Sequence, residues 1–122
     1  MSEVKISRKA AVPVTEWFGD RELLKLAAKA VGIDLLAEEW EDGFIYYYHK
    51  IPGDTQGWNP LNCDSDALRL AVKLKLQIQP WDDRVDSGKF PFGGQCEMYG
   101  DGPYAATRRA IVRAAAEIGR TL

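Results

Sequence analysis

Between Asp20 and Gly32 the apolar residues Leu23, Leu24, Leu26, Ala27 and Val31 recur on one broad stripe, the period of a helix with one buried side. Asp20 is a residue type that accepts hydrogen bonds from the free N–H groups of a first turn, and Gly32 suits the left-handed closing position, so a first helix is predicted between them. From Leu35 to Tyr48 the helical spacing is lost. Glu41-Asp42-Gly43 divides Leu36-Ala37-Glu38-Glu39-Trp40 from Phe44-Ile45-Tyr46-Tyr47-Tyr48, which reads as a hairpin, with an extra helical turn as the alternative for its first arm. Pro52, Gly53, Gly57 and Pro60 mark the stretch from Lys50 to Asp64 as an ordered surface loop. A second helix follows, capped by Asp64 or Ser65, with Ala67, Leu70, Ala71 and Leu74 on one face and Leu68 and Val72 widening it. The period then changes to two: Leu74, Leu76 and Ile78 alternate with Lys75, Gln77 and Gln79, as in a strand with one buried side, until Pro80.

Trp81 to Gly94 is polar and rich in acid, Pro and Gly, a long excursion of the kind kept for binding or for contact with another subunit. Gln95 to Tyr99 reads as a short strand. Pro103 fits the first position of a last helix, where a missing N–H costs nothing, and Tyr104, Ile111, Ala115, Ile118 and Leu122 would form its apolar face. Residues 1–19 are mixed and predict an arm or loosely packed segment ahead of one domain spanning 1–122. Helices interleaved with hairpins in this order predict an α+β fold: a small antiparallel or mixed sheet with helices packed on both faces, an α-β-α sandwich.

The composition sharpens this picture. With 46% hydrophobic and 28% charged residues in 122, the chain has enough apolar surface to fold, and global disorder is excluded. A formal charge of −2 supplies no overall field for wrapping a nucleic acid or coating an anionic membrane, so an anion site would have to be local. Cys63 and Cys96 lie far apart with no Cys-x-x-Cys or Cys/His spacing, which fits reduced thiols and argues against a zinc knuckle or a disulfide framework. No run of apolar residues is long enough for a signal-peptide core or a membrane span, so a soluble, intracellular protein is expected.

The most suggestive constellation is the last helix with its entry loop. Arg108, Arg109 and Arg113 fall within its first three turns, Arg109 and Arg113 being i, i+4 neighbours. Free N–H groups at a helix start, the glycines Gly100 and Gly102 and guanidinium forks together suit a phosphate or pyrophosphate. Against this stand Asp101 beside the helix start and a plainer reading, in which Arg113 pairs with Glu117, Arg108 lays its stem over an apolar rim and all three are solvated. Trp58, Trp81, Phe90, Phe92 and Tyr99 sit in or beside the two long loops, where a ring can stack on a base for about 1–3 kcal/mol; equally, such rings pin loops to the core or make oligomer contacts. Among Tyr46, Tyr47 and Tyr48, strand alternation sends at least one ring inward. His49 is the one histidine, and with no nucleophile elbow to support a triad with Cys63 and Asp64 it reads as structural or surface. Asp82, Asp83 and Asp86 lack the ligand spacing of a calcium loop, and Gly100-x-Gly102 is no dinucleotide fingerprint.

Two segments carry a family resemblance: Trp58-Asn59-Pro60-Leu61 followed by Asp66-Ala67-Leu68-Arg69-Leu70-Ala71-Val72, and Ala105-Ala106-Thr107-Arg108-Arg109-Ala110-Ile111-Val112-Arg113-Ala114-Ala115. Over residues 20–120 the chain resembles the small phage proteins of the ABA-sandwich type, which include the Thoeris anti-defence family, with a more distant likeness to NinX-like phage proteins. The resemblance implies a non-enzymatic sponge that binds a cyclic ADP-ribose isomer or a cyclic oligonucleotide without cleaving it, acting in the host bacterial cytoplasm, with no cofactor. It implies pockets between the subunits of a homo-oligomer. Arg109 and Arg113 match the family's anion-holding positions, with Arg108 beside them and Trp81, Phe90, Phe92 and Tyr99 as candidate stacking partners. Residues 81–99 contain no asparagine, a departure from the family pattern that leaves the ligand's identity open. The alternative is a phage accessory protein working through protein–protein contact or as a structural oligomer. Nucleic-acid binding through the last helix is disfavoured by the acidic total and by Glu117, which interrupts the basic face.

Overall fold

A computed structural model describes residues 11–13, 18–39, 41, 44–51, 54–89, 94–100 and 102–122. Along the chain run β1 (Ala11–Pro13), α1 (Phe18–Val31), β2 (Leu35–Glu39), β3 (Phe44–Ile51), β4 (Asp54–Gly57), α2 (Asp64–Leu74), β5 (Gln77–Pro80), β6 (Arg84–Gly88), β7 (Gly94–Met98) and α3 (Pro103–Arg120).

The first helix forms on the predicted stripe, with Leu24, Ala27, Ala28 and Val31 buried. It starts at Phe18, so Asp20 lies inside its first turn instead of capping it and sends its carboxylate to Arg109. Gly32, at φ 74°, closes the helix, and the Ile33 N–H reaches back to the Ala28 carbonyl at 2.9 Å. The predicted hairpin is present as β2 and β3, antiparallel with Leu36 opposite Tyr48 and Glu39 opposite Ile45. β1 and β4 pair successive stretches of β3, making a four-stranded sheet around it. Alternation places Tyr47 and Ile45 in the core.

The surface loop expected from Lys50 to Asp64 is a correction. β3 continues to Ile51 and returns as β4; the Trp58 N–H then bonds the Tyr47 carbonyl at 3.1 Å, and Trp58, Asn59 and Pro60 are buried. The β3–β4 ladder pairs backbone groups that a loop would leave to water, and a tryptophan ring stabilises most when removed from water.

Helix α2 buries Ala67, Leu70, Ala71 and Leu74 as predicted, but Leu68 and Val72 stay 58% and 67% exposed and do not widen the buried face. Neither Asp64 nor Ser65 caps it: Cys63 holds the cap position with no side-chain bond to the helix's free N–H groups, and Asp64 pairs with Arg108. Lys75, in the left-handed region at φ 57°, ends the helix, with the Leu76 N–H bonded to the Ala71 carbonyl at 2.9 Å.

The excursion from Trp81 to Gly94 contains the central strand of a second sheet, ordered β5-β6-β7 and antiparallel throughout. Arg-Val-Asp-Ser-Gly looks like loop, yet Val85 and Ser87 face inward, the serine hydroxyl donating to the Gln77 carbonyl at 2.9 Å. β5 shows no buried side; it is an edge strand whose residues are all exposed, Ile78 included, and Pro80 ends it where no ladder donor is needed.

Pro103 opens α3 after Gly102, at φ 122°. Its buried surface is mostly small: Ala106, Ala110, Ala114, Ala115, Ala116 and Gly119 with Ile111, Val112 and Ile118, while Tyr104 and Leu122, placed on the apolar face from sequence, are exposed at its ends. Ala106 and Ala110 pack with Val85 and Tyr99, whereas Ile111, Val112, Ala115 and Ile118 join the main core with Leu24, Tyr47, Trp58 and Leu70. The protein is α+β, with its strands divided between two antiparallel sheets and α3 sharing in the cores of both. Among the described residues no helix is long and apolar enough to cross a membrane.

Candidate functional site

One helical turn separates Arg109 and Arg113, which puts both guanidinium groups on the same side of α3. Glu97 reaches them from β7. It lies opposite Val85 in the ladder, and because Val85 faces α3, alternation turns Glu97 the same way. Arg113 Nη1 donates to Glu97 Oε2 and, at 3.1 Å, to the Cys96 carbonyl. Arg109 Nε lies 3.6 Å from Glu97 Oε1, and its Nη2 donates to Asp20 Oδ1 at 2.7 Å. One carboxylate is thus gripped by two arginines, each about one third exposed.

Glu97, Arg109 and Arg113 line an open cleft of about 430 Å³ between α1 and α3, whose walls also include Gly19, Glu22, Leu23, Leu26 and Arg120. Arg120 bonds Glu117 at 2.5 Å, so the Arg113–Glu117 pair of the plainer sequence reading is replaced by Arg113–Glu97 and Arg120–Glu117. Every arginine of the cleft therefore faces a carboxylate. An incoming phosphate would gain little from such a site unless it took the place of Glu97.

The other candidates lie elsewhere. Arg108 points to the α2 entry, donating from Nε to the Leu61 carbonyl at 2.9 Å and from Nη1 to Asp64 at 2.7 Å. Trp81 is 50% exposed, with its indole N–H on Asp86 at 3.0 Å and the Arg84 guanidinium 5.6 Å from its ring centre. Arg84 and Asp86 flank Val85, so this cluster occupies the face of the second sheet turned away from α3 and does not line the cleft. Tyr99 packs on the small core of Val85, Ala106 and Ala110. Phe90, Phe92 and Asp101 lie outside the described residues. The start of α3 does not line the cleft either; Arg109 is six residues, about 9 Å, along the axis. The helix N-terminus and the arginine pair are separate features.

Sequence reasoning missed the charged cleft residues Glu97, Glu22 and Arg120, and also Asp20, which pairs with Arg109. Glu97 carries a signal only once its strand partner Val85 is known to face α3. Cys63 is buried with its Sγ 3.2 Å from Ser65 Oγ, whereas His49 lines a different cavity beside Gln56 and Asp66. Among the described residues no group of three or more His, Cys, Asp or Glu side chains is placed to hold a metal ion. Compared with known proteins, the chain matches no family, no curated protein and no solved structure.

Proposed function

We propose that this chain is a non-catalytic binding protein of phage origin that captures a small phosphorylated cyclic nucleotide signal, a cyclic ADP-ribose isomer or a cyclic oligonucleotide, and withholds it intact in the host cytoplasm. The observation that carries the reading is the Glu97 carboxylate clasped by Arg109 and Arg113 in the cleft. An oxyanion already sits between two guanidinium forks there, and a ligand phosphate could replace it on the same donors. The likeness of the Trp58–Val72 and Ala105–Ala115 segments to the phage ABA-sandwich proteins adds support. The cleft is open on one side, so a second copy of the chain would be needed to close it over a ligand, as the homo-oligomeric reading requires.

Purified protein is incubated with cyclic ADP-ribose isomers and with cyclic di- and trinucleotides, freed of excess ligand and heated. Intact ligand in the supernatant is the expected result. Arg109→Ala should weaken capture by about tenfold or more through the lost charge-assisted contacts, and Glu97→Gln should strengthen it by removing the competing carboxylate. Chemically altered ligand would make the protein an enzyme, and capture unaffected by Arg109→Ala would take that residue out of the site.

A second reading, an accessory protein that acts by contact with another protein, is favoured by Leu68 and Val72, neighbouring side chains on α2 that are more than half exposed. Retention of none of the nucleotides would favour it.

A further inference from the structure

Distinct from the Arg109 cleft, with which it shares no lining residue, a more enclosed cavity of about 170 Å³ lies between α2 and the β3–β4 hairpin. Three elements build it. Arg69 and Lys73 are one turn apart on α2, which brings their heads to the same rim. His49 and Gln56 are direct cross-strand partners, so their side chains stand together on one face of the first sheet. The buried Trp58 and Leu70, with Val31 and the partly buried Ile33 at the end of α1, provide apolar walls.

The charge state of this cavity is the reverse of the Arg109 cleft. Among the described residues, Arg69, Lys73 and His49 have no hydrogen bond or ion pair, whereas every arginine of the other cleft is paired with a carboxylate. The acid in the lining, Asp66, is buried and accepts the Asn59 backbone N–H at 3.0 Å, which ties it to the turn before α2. Two permanent cations thus overlook apolar walls with their donors unspent.

We propose that this cavity is a binding site for a small organic monophosphate, independent of the Arg109 cleft. The donor set suits a phosphoryl group: the arginine fork takes two of its terminal oxygens, and the lysine ammonium and the histidine ring N–H share the third. A carboxylate has only two oxygens for the same donors. The volume is small beside the roughly 300–1,000 Å³ of sites for drug-sized ligands, so the phosphate ester carries a compact body, and the ring of Trp58 with Val31, Ile33 and Leu70 calls for an apolar one.

The test is an NMR titration of the full chain at constant ionic strength with phenyl phosphate, benzoate and inorganic phosphate in turn. Phenyl phosphate should bind most tightly and move the signals of the Trp58 indole and the His49 ring. The double variant Arg69→Ala/Lys73→Ala should weaken it by at least about tenfold; both side chains are exposed and, among the described residues, unpaired, and an unchanged thermal melt verifies that the variant folds. Arg109→Ala should bind phenyl phosphate as the parent does, which separates this site from the proposed nucleotide cleft whichever way that proposal fares. Benzoate binding as tightly as phenyl phosphate would overturn the phosphate assignment, and inorganic phosphate binding equally well would overturn the apolar body. Shifts absent from Trp58 and His49, or binding indifferent to the loss of Arg69 and Lys73, would overturn the site.

Discussion

Arg108, Arg109 and Arg113 lie within six residues of one another and behave as three separate cases, because an arginine's role depends on what meets its fork. Arg108 ties α3 to the α2 entry through Leu61 and Asp64, while Arg109 and Arg113 share Glu97. The i, i+4 spacing made the shared side legible; the carboxylate opposite was not, since it arrives from another strand. Cys96 shows the same dependence on a neighbour. It faces Asp86 across the β6–β7 ladder, and the hydrogen bond from its thiol to the Asp86 carboxylate, helped by local desolvation and that carboxylate's charge, raises the thiol pKa against a smaller opposing effect of Arg84. A raised pKa means the folded state favours the protonated thiol, so the thiolate fraction at mildly alkaline pH is lower than for an ordinary cysteine. Iodoacetamide should accordingly alkylate Cys96 slowly, with the rate rising at higher pH than for a free thiol, and Asp86→Asn should shift that profile to lower pH. An identical pH–rate profile in the variant would show that Asp86 does not govern the thiol.

At the level of elements, small residues decide how close α3 can come to its neighbours. Gly119 is the sharpest instance: a Cβ there would sit 1.9 Å from the Leu26 carbonyl oxygen and 2.8 Å from its carbon, both backbone atoms of α1 that cannot swing aside. Gly119→Ala should therefore push the two helices apart and destabilise by about 1–3 kcal/mol, measured as a lowered urea midpoint; a midpoint equal to the parent's would mean the helices are not in contact at that point. The helices with strong periodicity, α1 and α2, were legible along the chain because their buried faces repeat locally. β6 was not, as only Val85 in it is apolar and its pairing with β5 and β7 supplies the rest of its stabilisation. Leu68 and Val72 fit the stripe of α2 by angle but have no element packed over them, and periodicity alone cannot tell a covered stripe from an open one.

For the molecule as a whole, α3 contributes Ala106 and Ala110 to one core and Ile111, Val112, Ala115 and Ile118 to the other, so neither sheet can lose its partner without disturbing the same helix. Unfolding should accordingly be a single cooperative event. Urea transitions followed at the assigned indole signals of Trp58, beside the first sheet, and Trp81, beside the second, are expected to coincide; two midpoints would show that the halves come apart independently. The chain alone settled those features that arise from near neighbours in sequence: the three helices, the glycine that closes α1, the hairpin of β2 and β3, the proline that opens α3 and the α+β class. Folding in three dimensions settled which charges are matched. Arg109 and Arg113 meet Glu97 and Asp20, whereas Arg69, Lys73 and His49 line one cavity with Asp66 and, among the described residues, form no ion pair, and no local pattern distinguishes the two groups. The reason is physical: periodicity reports the direction in which a side chain leaves its own element, while its electrostatic partner is set by residues tens of positions away that only packing brings within a few ångströms.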